Sequence, residues 1–176
     1  MNELVFDYES DEAYEALERE AYDLVFLCLG TTRKKAGSDE AFRRVDLDYP
    51  SRVLDAVARG ARAIGLVSSV GAESGRGLYL GTKLELERRV VATGVRYVIA
   101  RPSFLVGSRE EFRLGERIGL ATVAPVLKGL GALATGMKKY APIRAEDVAA
   151  ALVHAMLADG GSVVLEGKAL FDAATP

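Results

Sequence analysis

The sequence of 176 residues holds one cysteine, one histidine, no tryptophan and five prolines. With Cys28 alone no disulfide can form within the chain, which fits a reducing compartment and makes the cytoplasm the expected location. Cys28 lies inside the apolar run Leu24 to Leu29, where a small buried hydrophobe is expected rather than a reactive thiol. His154 has no second histidine or cysteine pair to join it in a metal site, so a packed or surface histidine is expected there. No uninterrupted apolar stretch approaches the ~18 residues of a membrane span. The weakly charged stretch from Ile118 to Met137 is broken by Pro125, Lys128 and glycines. The start, Met1 to Glu20, is acidic where a secretory signal needs a basic start and an apolar core. A formal net charge of -2 supplies no field for gathering phosphate backbones, so neither nucleic acid nor a membrane is an expected partner. The chain also lacks any glycine before Gly30.

What remains is the composition of a globular protein, 49% hydrophobic and 27% charged, in a chain of one-domain length able to bury a core unaided. Short β-branched runs alternate with helical patterns, the signature of βαβ units around a parallel sheet. Leu4 to Phe6 reads as a first strand, and Ser10 or Asp11 caps a helix through about Arg19. Asp23 to Leu29 reads as a buried strand leaving through Gly30, Thr31 and Thr32. A helix from Ser38 carries Phe42, Val45 and Leu47, and a second runs from Pro50 to Arg59, where Gly60 ends it. Arg62 to Val67 is the next strand. A long helix, Leu78 to Thr93, closes at Gly94 and is followed by the strand Val95 to Ala100. Beyond about residue 102 the pattern becomes irregular: a helix from Glu110 to about Thr122, a Gly/Lys-rich loop from Lys128 to Tyr140, a helix from Ala145 to Ala158 and a short strand from Ser162 to Leu165. The expectation is one domain over residues 1–176, without internal repeats.

Tyr79 and Lys83 stand four positions apart in the long helix, so both project from one face and can act on one ligand. An ammonium one turn away stabilises a phenolate by Coulomb attraction, which suits the tyrosine to proton transfer. Ser68 and Ser69 follow a strand at the carboxyl edge of a parallel sheet, where ligands of open α/β folds bind and where a hydroxyl can hold a carbonyl oxygen. Gly71, Gly75 and Gly77 allow the chain to bring the helix start back over that edge. A half-exposed tyrosine beside a solvated lysine is the plainer reading of such a pair, and Arg101-Pro102 on its own reads as a rigid strand exit. Arg33, Lys34 and Lys35 form a short basic loop that suits either an anion or solvent.

The segments F-L-C-L-G-T-T-R-K-K-A-G-S at Phe26 to Ser38, V-D-L-D-Y at Val45 to Tyr49, V-S-S-V-G-A at Val67 to Ala72 and L-Y-L-G-T-K at Leu78 to Lys83 resemble a known family. So do A-R-P-S-F-L-V-G-S-R-E-E at Ala100 to Glu111 and V-L-E-G-K-A-L-F-D at Val164 to Asp172. The family is the atypical branch of the short-chain dehydrogenase/reductase superfamily, with its Tat-interacting-protein oxidoreductase-like proteins and epimerase-like relatives. The resemblance implies a Rossmann-like doubly wound parallel sheet. It implies Tyr79 as catalytic acid/base, Lys83 as its electrostatic partner and ligand of the nicotinamide ribose, and Ser68 or Ser69 as the holder of the substrate oxygen. Cofactor contacts are implied for Gly30, Thr31, Thr32, Arg33, Tyr79, Lys83, Arg101, Pro102, Ser103 and Leu105. NADP is the implied cofactor, with NAD the second choice, and a small carbonyl or alcohol the implied substrate.

The superfamily's opening strand and Gly-rich turn, whose amides meet the cofactor pyrophosphate, have no counterpart here. Gly75, Gly77 and Gly81 follow a later strand at the wrong spacing. The expectation is thus an N-terminally truncated fold, its first two strands and helices missing, with weakened cofactor binding and an exposed sheet edge that recruits another strand or a second copy. Three functions compete: an NAD(P)(H)-dependent oxidoreductase, a catalytically impaired Rossmann-like interaction protein, and a sugar-nucleotide epimerase, which needs a larger substrate-binding region.

Overall fold

The structure, a computed structural model, describes residues 5–106 and 140–175. Helix α1 (Asp11–Glu18) starts at Ser10, whose hydroxyl accepts the Ala13 N–H, as its sequence position foretells. Strand β1 (Leu24–Leu27) follows, then the four-residue helix α2 (Arg33–Ala36), capped by Thr32 Oγ1. Helix α3 (Asp39–Arg43) passes through a π turn at Arg44–Asp48 into α4 (Tyr49–Val57), so the two helices read from the sequence are one helical run with a widened turn at the join. Pro50 lies in the interior of that run, directly after the widened turn, and brings no N–H to its ladder. Strand β2 (Ala63–Val67), helix α5 (Gly77–Ala92) and strand β3 (Arg96–Arg101) complete the first half.

After β3 come the short strands β4 (Leu105–Val106) and β5 (Ile143–Arg144), which pair in parallel, then α6 (Ala145–Leu157), β6 (Val163–Glu166) and α7 (Lys168–Ala174). The β4–β5 pair, too short for a periodic signal, and α7, whose K-A-L-F-D carries only a family resemblance, have no counterpart in the sequence expectation. The helix expected from Glu110 to about Thr122 and most of the Lys128–Tyr140 loop lie outside the described residues. The strand expected at Leu4 to Phe6 is a correction: residues 5–7 form no strand. Phe6 instead packs edge-on against Tyr8 and Tyr14, and three residues without a neighbouring ladder have nothing to pair with.

Among the described residues the main sheet is parallel in the order β1-β2-β3-β6. The alternation of strand side chains divides two cores. Ala63, Val98, Ala100 and Leu165 face α6 and α7, meeting Val148, Leu152, Met156 and Leu170. Leu27, Ile64, Leu66 and Ile99 face the opposite way, meeting Leu47, Leu54, Leu86 and Val90. Helices thus cover both faces in a three-layer, Rossmann-like α/β arrangement. Gly65 is required by close packing, because a Cβ there would stand 3.0 Å from the Phe26 ring. At the base of β3, Arg96 donates to the Met156, Ala155 and Ala158 carbonyls at 2.8, 2.7 and 3.0 Å. The guanidinium so takes up the carbonyls that the end of α6 leaves without intrahelical partners.

Strand β1 lies at one end of the sheet order and is less buried than the sequence reading expected. Phe26 is 40% exposed. Cys28, expected in the core, is exposed just beyond this edge strand. The surroundings of its sulfur still exclude enough water to push the thiol above its ordinary value. Because the thiolate is the disfavoured form, Cys28 should react with iodoacetamide at neutral pH more slowly than free cysteine, and speed up with rising pH. A rate at or above that of free cysteine would contradict this.

Candidate active site

The exits of β2 and β3 are laced together at their carboxyl ends, Ser68 N–H donating to Ala100 C=O at 2.8 Å and Val70 N–H to Pro102 C=O at 2.9 Å. Beyond Val70 the chain turns through Gly71 at φ 81° and Gly75 at φ 59°, left-handed values that disfavour side chains, with a single 3₁₀ turn at Ala72–Ser74 between them. This returns the chain over the sheet edge and starts α5 there. Tyr79, in the first turns of that helix, is 45% exposed, whereas Lys83 one turn later is 6% exposed. The Lys83 Nζ lies 5.8 Å from the centre of the Tyr79 ring. Phe42 supports that ring from α3 at 6.1 Å between centroids. The sequence-predicted pair therefore does share one helix face, with the phenol open to a ligand and the ammonium beneath it.

The ammonium has a partner that the sequence reading missed. Asp46, in the π turn and 1% exposed, places Oδ1 2.8 Å from Lys83 Nζ, while its Oδ2 accepts the Thr31 N–H at 2.7 Å. The carboxylate joins the lysine to the β1 exit loop. A Cβ at Gly30 would stand 3.3 Å from Asp46 Oδ1 and 3.6 Å from Lys83 Nζ. The bare backbone of Gly30 leaves that space beside the ammonium open. A signal for Asp46 was present: it sits four residues after the buried Phe42 and four before the buried Pro50, on a face that ought to be apolar.

The two serines separate. Ser68, 4% exposed, donates its hydroxyl to Glu87 Oε1 at 2.5 Å. Glu87 lies one turn beyond Lys83 and is gripped by Arg101, Nε to Oε1 at 2.9 Å and Nη2 to Oε2 at 2.6 Å. Arg101 Nη1 reaches Glu73 at 3.2 Å and lies 3.9 Å from Glu166. These bonds, those from Glu87 foremost, hold the guanidinium above its ordinary value. Ser68 and Arg101, read from the sequence as site residues, are thus committed to a buried clamp that joins α5 to the ends of β2 and β3. Glu87 was the second residue missed, though the spacing Tyr79, Lys83, Glu87 puts all three on one helix face. Ser69 is half-buried at the same edge, its hydroxyl making a 3.4 Å contact with the Val70 carbonyl.

The remaining candidates are distributed along the rim. Thr32 caps α2, and Arg33 pairs with Asp39 at 2.6 Å on the surface. Pro102 is buried, the Ser103 hydroxyl donates to the Ala141 carbonyl, and Leu105 is 41% exposed in β4. The described residues contain no cluster of histidine, cysteine or carboxylate groups that could hold a metal ion. They also contain no helix long and apolar enough to cross a membrane.

No known family profile matches the chain. The rat protein HTATIP2 is 41% identical over 119 residues, which make up 66% of this chain and 48% of that protein. The mitochondrial protein FMP52 of Candida albicans is 38% identical over 117 residues, 61% of this chain and 51% of that protein. Over these stretches the chain is similar to both proteins. It spans about half the length of these curated relatives. In three dimensions it is similar to RMD of Pseudomonas aeruginosa, solved with NADPH, at a TM-score of 0.64, 18% identity and coverage of 92% of this chain and 66% of that one. It is also similar to the human epimerase family protein SDR39U1, solved with NADPH, at a TM-score of 0.55, 17% identity and coverage of 86% and 59%. At such identities the likeness establishes the Rossmann-like fold.

One expectation falls. The cytoplasm was inferred from the lone cysteine and the acidic start, yet FMP52 relatives from several yeasts carry a mitochondrial designation. A reducing environment and the absence of a disulfide do not distinguish the cytosol from the interior of an organelle.

Proposed function

We propose that the chain carries the nicotinamide-side catalytic half of an NAD(P)(H)-dependent oxidoreductase acting on a small carbonyl or alcohol. The observation that carries this reading is the open phenol of Tyr79 one helical turn from the buried ammonium of Lys83, at the carboxyl edge of a parallel sheet. The cofactor, when bound, supplies or accepts the hydride. Tyr79 Oη gives its proton to the carbonyl oxygen as that oxygen gains negative charge, and takes it back when the alcohol is oxidised. Lys83 steadies the phenolate left behind and offers its free N–H groups to ribose hydroxyls across the space left by Gly30. Ser69, whose hydroxyl is less engaged than that of Ser68, is the serine that holds the substrate oxygen. The neighbours solved with NADPH support a nicotinamide cofactor without choosing between its two forms.

The test is an NADPH fluorescence titration of the purified chain. A saturable change is expected within the usual enzymatic range, below about 1 mM. A flat titration up to that concentration would remove cofactor-dependent chemistry from the chain.

A further inference from the structure

We infer that the free edge of β1 is the interface on which two copies of this chain pair, the strands running antiparallel with each Phe26 opposite its own counterpart. Among the described residues β1 ends the sheet order and is laddered to β2 alone. Natural edge strands are kept from pairing by a charge, a proline or a bulge. The run from Leu24 to Gly30 holds neither charge nor proline, and its register with β2 is unbroken from Leu24 to Leu27. The edge is therefore an unprotected row of N–H and C=O groups. The anchor beside it is already in place. Phe26, 40% exposed, lays its ring over the bare Gly65 of β2, where a Cβ would come within 3.0 Å. The Met156 methyl comes within 3.6 Å of the same point and joins the ring to α6, where Val153 and Leu157, one turn apart, are 41% and 62% exposed.

The charges choose the occupant. Before the strand, Glu18, Glu20 and Asp23 are exposed, and Arg19 is taken by Glu15 at 3.3 Å. After it come the exposed Arg33, Lys34 and Lys35, of which Arg33 holds Asp39 at 2.6 Å. Arg59 and Arg62 precede β2 and so stand on the inner side of the entrance. Along the chain direction the free edge thus runs from acid to base. A second copy in parallel would set acid against acid and base against base. A second copy turned antiparallel sets each entrance beside the other's exit. With Phe26 on the two-fold axis, Val25 faces Leu27 and Leu24 faces Cys28, so apolar side chains meet across the whole strand. The contact is isologous and occupies both free edges at once, so it closes at two copies. It needs neither cofactor nor catalysis, and so stands apart from the oxidoreductase reading.

The test is sedimentation velocity of the full chain, together with hydrogen exchange of the Leu24 to Cys28 amides. At about 50 µM the chain should sediment at twice the 18.9 kDa of one copy and dissociate on dilution, as small interfaces do. Exchange of those amides should slow by about tenfold or more from the dilute to the concentrated sample. Phe26→Lys sets two ammoniums against each other on the axis and should be monomeric. If that variant does not fold, Phe26→Cys combined with Cys28→Ser reads the same contact. Residues directly opposite fall within disulfide reach, so mild oxidation should link two copies. The native Cys28 would lie four residues from its counterpart along the strands, about 14 Å, and should not link. A monomer at the higher concentration would overturn the inference, and β1 amides protected equally at every dilution would then show that the chain's own residues cover the edge. A dimer untouched by Phe26→Lys, an absent disulfide in the cysteine variant, or assemblies larger than two would overturn it as well.

Discussion

Tyr79→Phe should lower carbonyl-reducing turnover by about 10²- to 10⁴-fold, the usual contribution of a positioned general acid. The substitution removes one hydroxyl from a ring that is 45% exposed, so the fold should be unaffected. The ring keeps its contact with Phe42, and Lys83 keeps its ion pair with Asp46. NADPH affinity should therefore change by less than about threefold, since the Lys83 donors for the ribose are untouched. The loss should appear in kcat, with KM for the carbonyl substrate little changed, because the proton is needed only as charge develops on oxygen. Steady-state kinetics together with an NADPH titration check both halves. Retained turnover in the phenylalanine variant would show that another group or water delivers the proton.

The largest effect on stability should come from the clamp behind the site. In Glu87→Leu, Arg101 and Ser68 both lose the carboxylate that holds them, in a place where Glu87 is 4% and Ser68 4% exposed. Removing one member of a buried pair costs about 3–5 kcal/mol, because the surviving charge stays buried without its partner. Arg101 keeps Glu73 and Glu166 at the more exposed end of its guanidinium, which puts the expected loss at the lower limit, about 3 kcal/mol. Against a typical stability of about 5–15 kcal/mol this is a large fraction. Urea unfolding should show a lower midpoint at unchanged slope. Glu87→Leu combined with Arg101→Leu should be less damaging than the sum of the two, since neither leaves a lone charge when both are absent. A shift below about 1 kcal/mol in the single variant would mean that water reaches the clamp and replaces the lost carboxylate.

The sheet and its helices were legible because they rest on local periodicity. Val95 to Ala100 and Arg62 to Val67 are β-branched or apolar runs bounded by Gly60 and Gly94, and they emerge within a residue of β3 and β2. Ser10 and the paired positions Tyr79 and Lys83 are likewise set by spacing along one element. What the sequence hid depends on contacts between elements. Nothing near Leu24 to Leu29 tells whether a strand is central or terminal in its sheet, so Cys28 and Phe26 were placed in the core. Adjacent serines are chemically alike on paper, and only the Glu87 carboxylate distinguishes Ser68 from Ser69. Two regular helices, one from Ser38 and one from Pro50 to Arg59, give no cause to expect a π turn at Asp46, and its partner lies 37 positions away in the chain. Leu4 to Phe6 fails for the converse reason: apolar residues were read as strand where a set of aromatic rings was being assembled.

Strand β3 carries an arginine near each end, and each is fastened to a different layer. Arg96 holds the end of α6 on one face, and Arg101 holds α5 on the other. The strand works as a tie bar between two helical sheets of armour, bolted at opposite corners. Strain entering through the α6 layer reaches the lower bolt, while Tyr79 and Lys83 hang from the upper one. The helix that holds the phenol and the ammonium is thus fastened to the sheet by a different side chain from the one that holds α6.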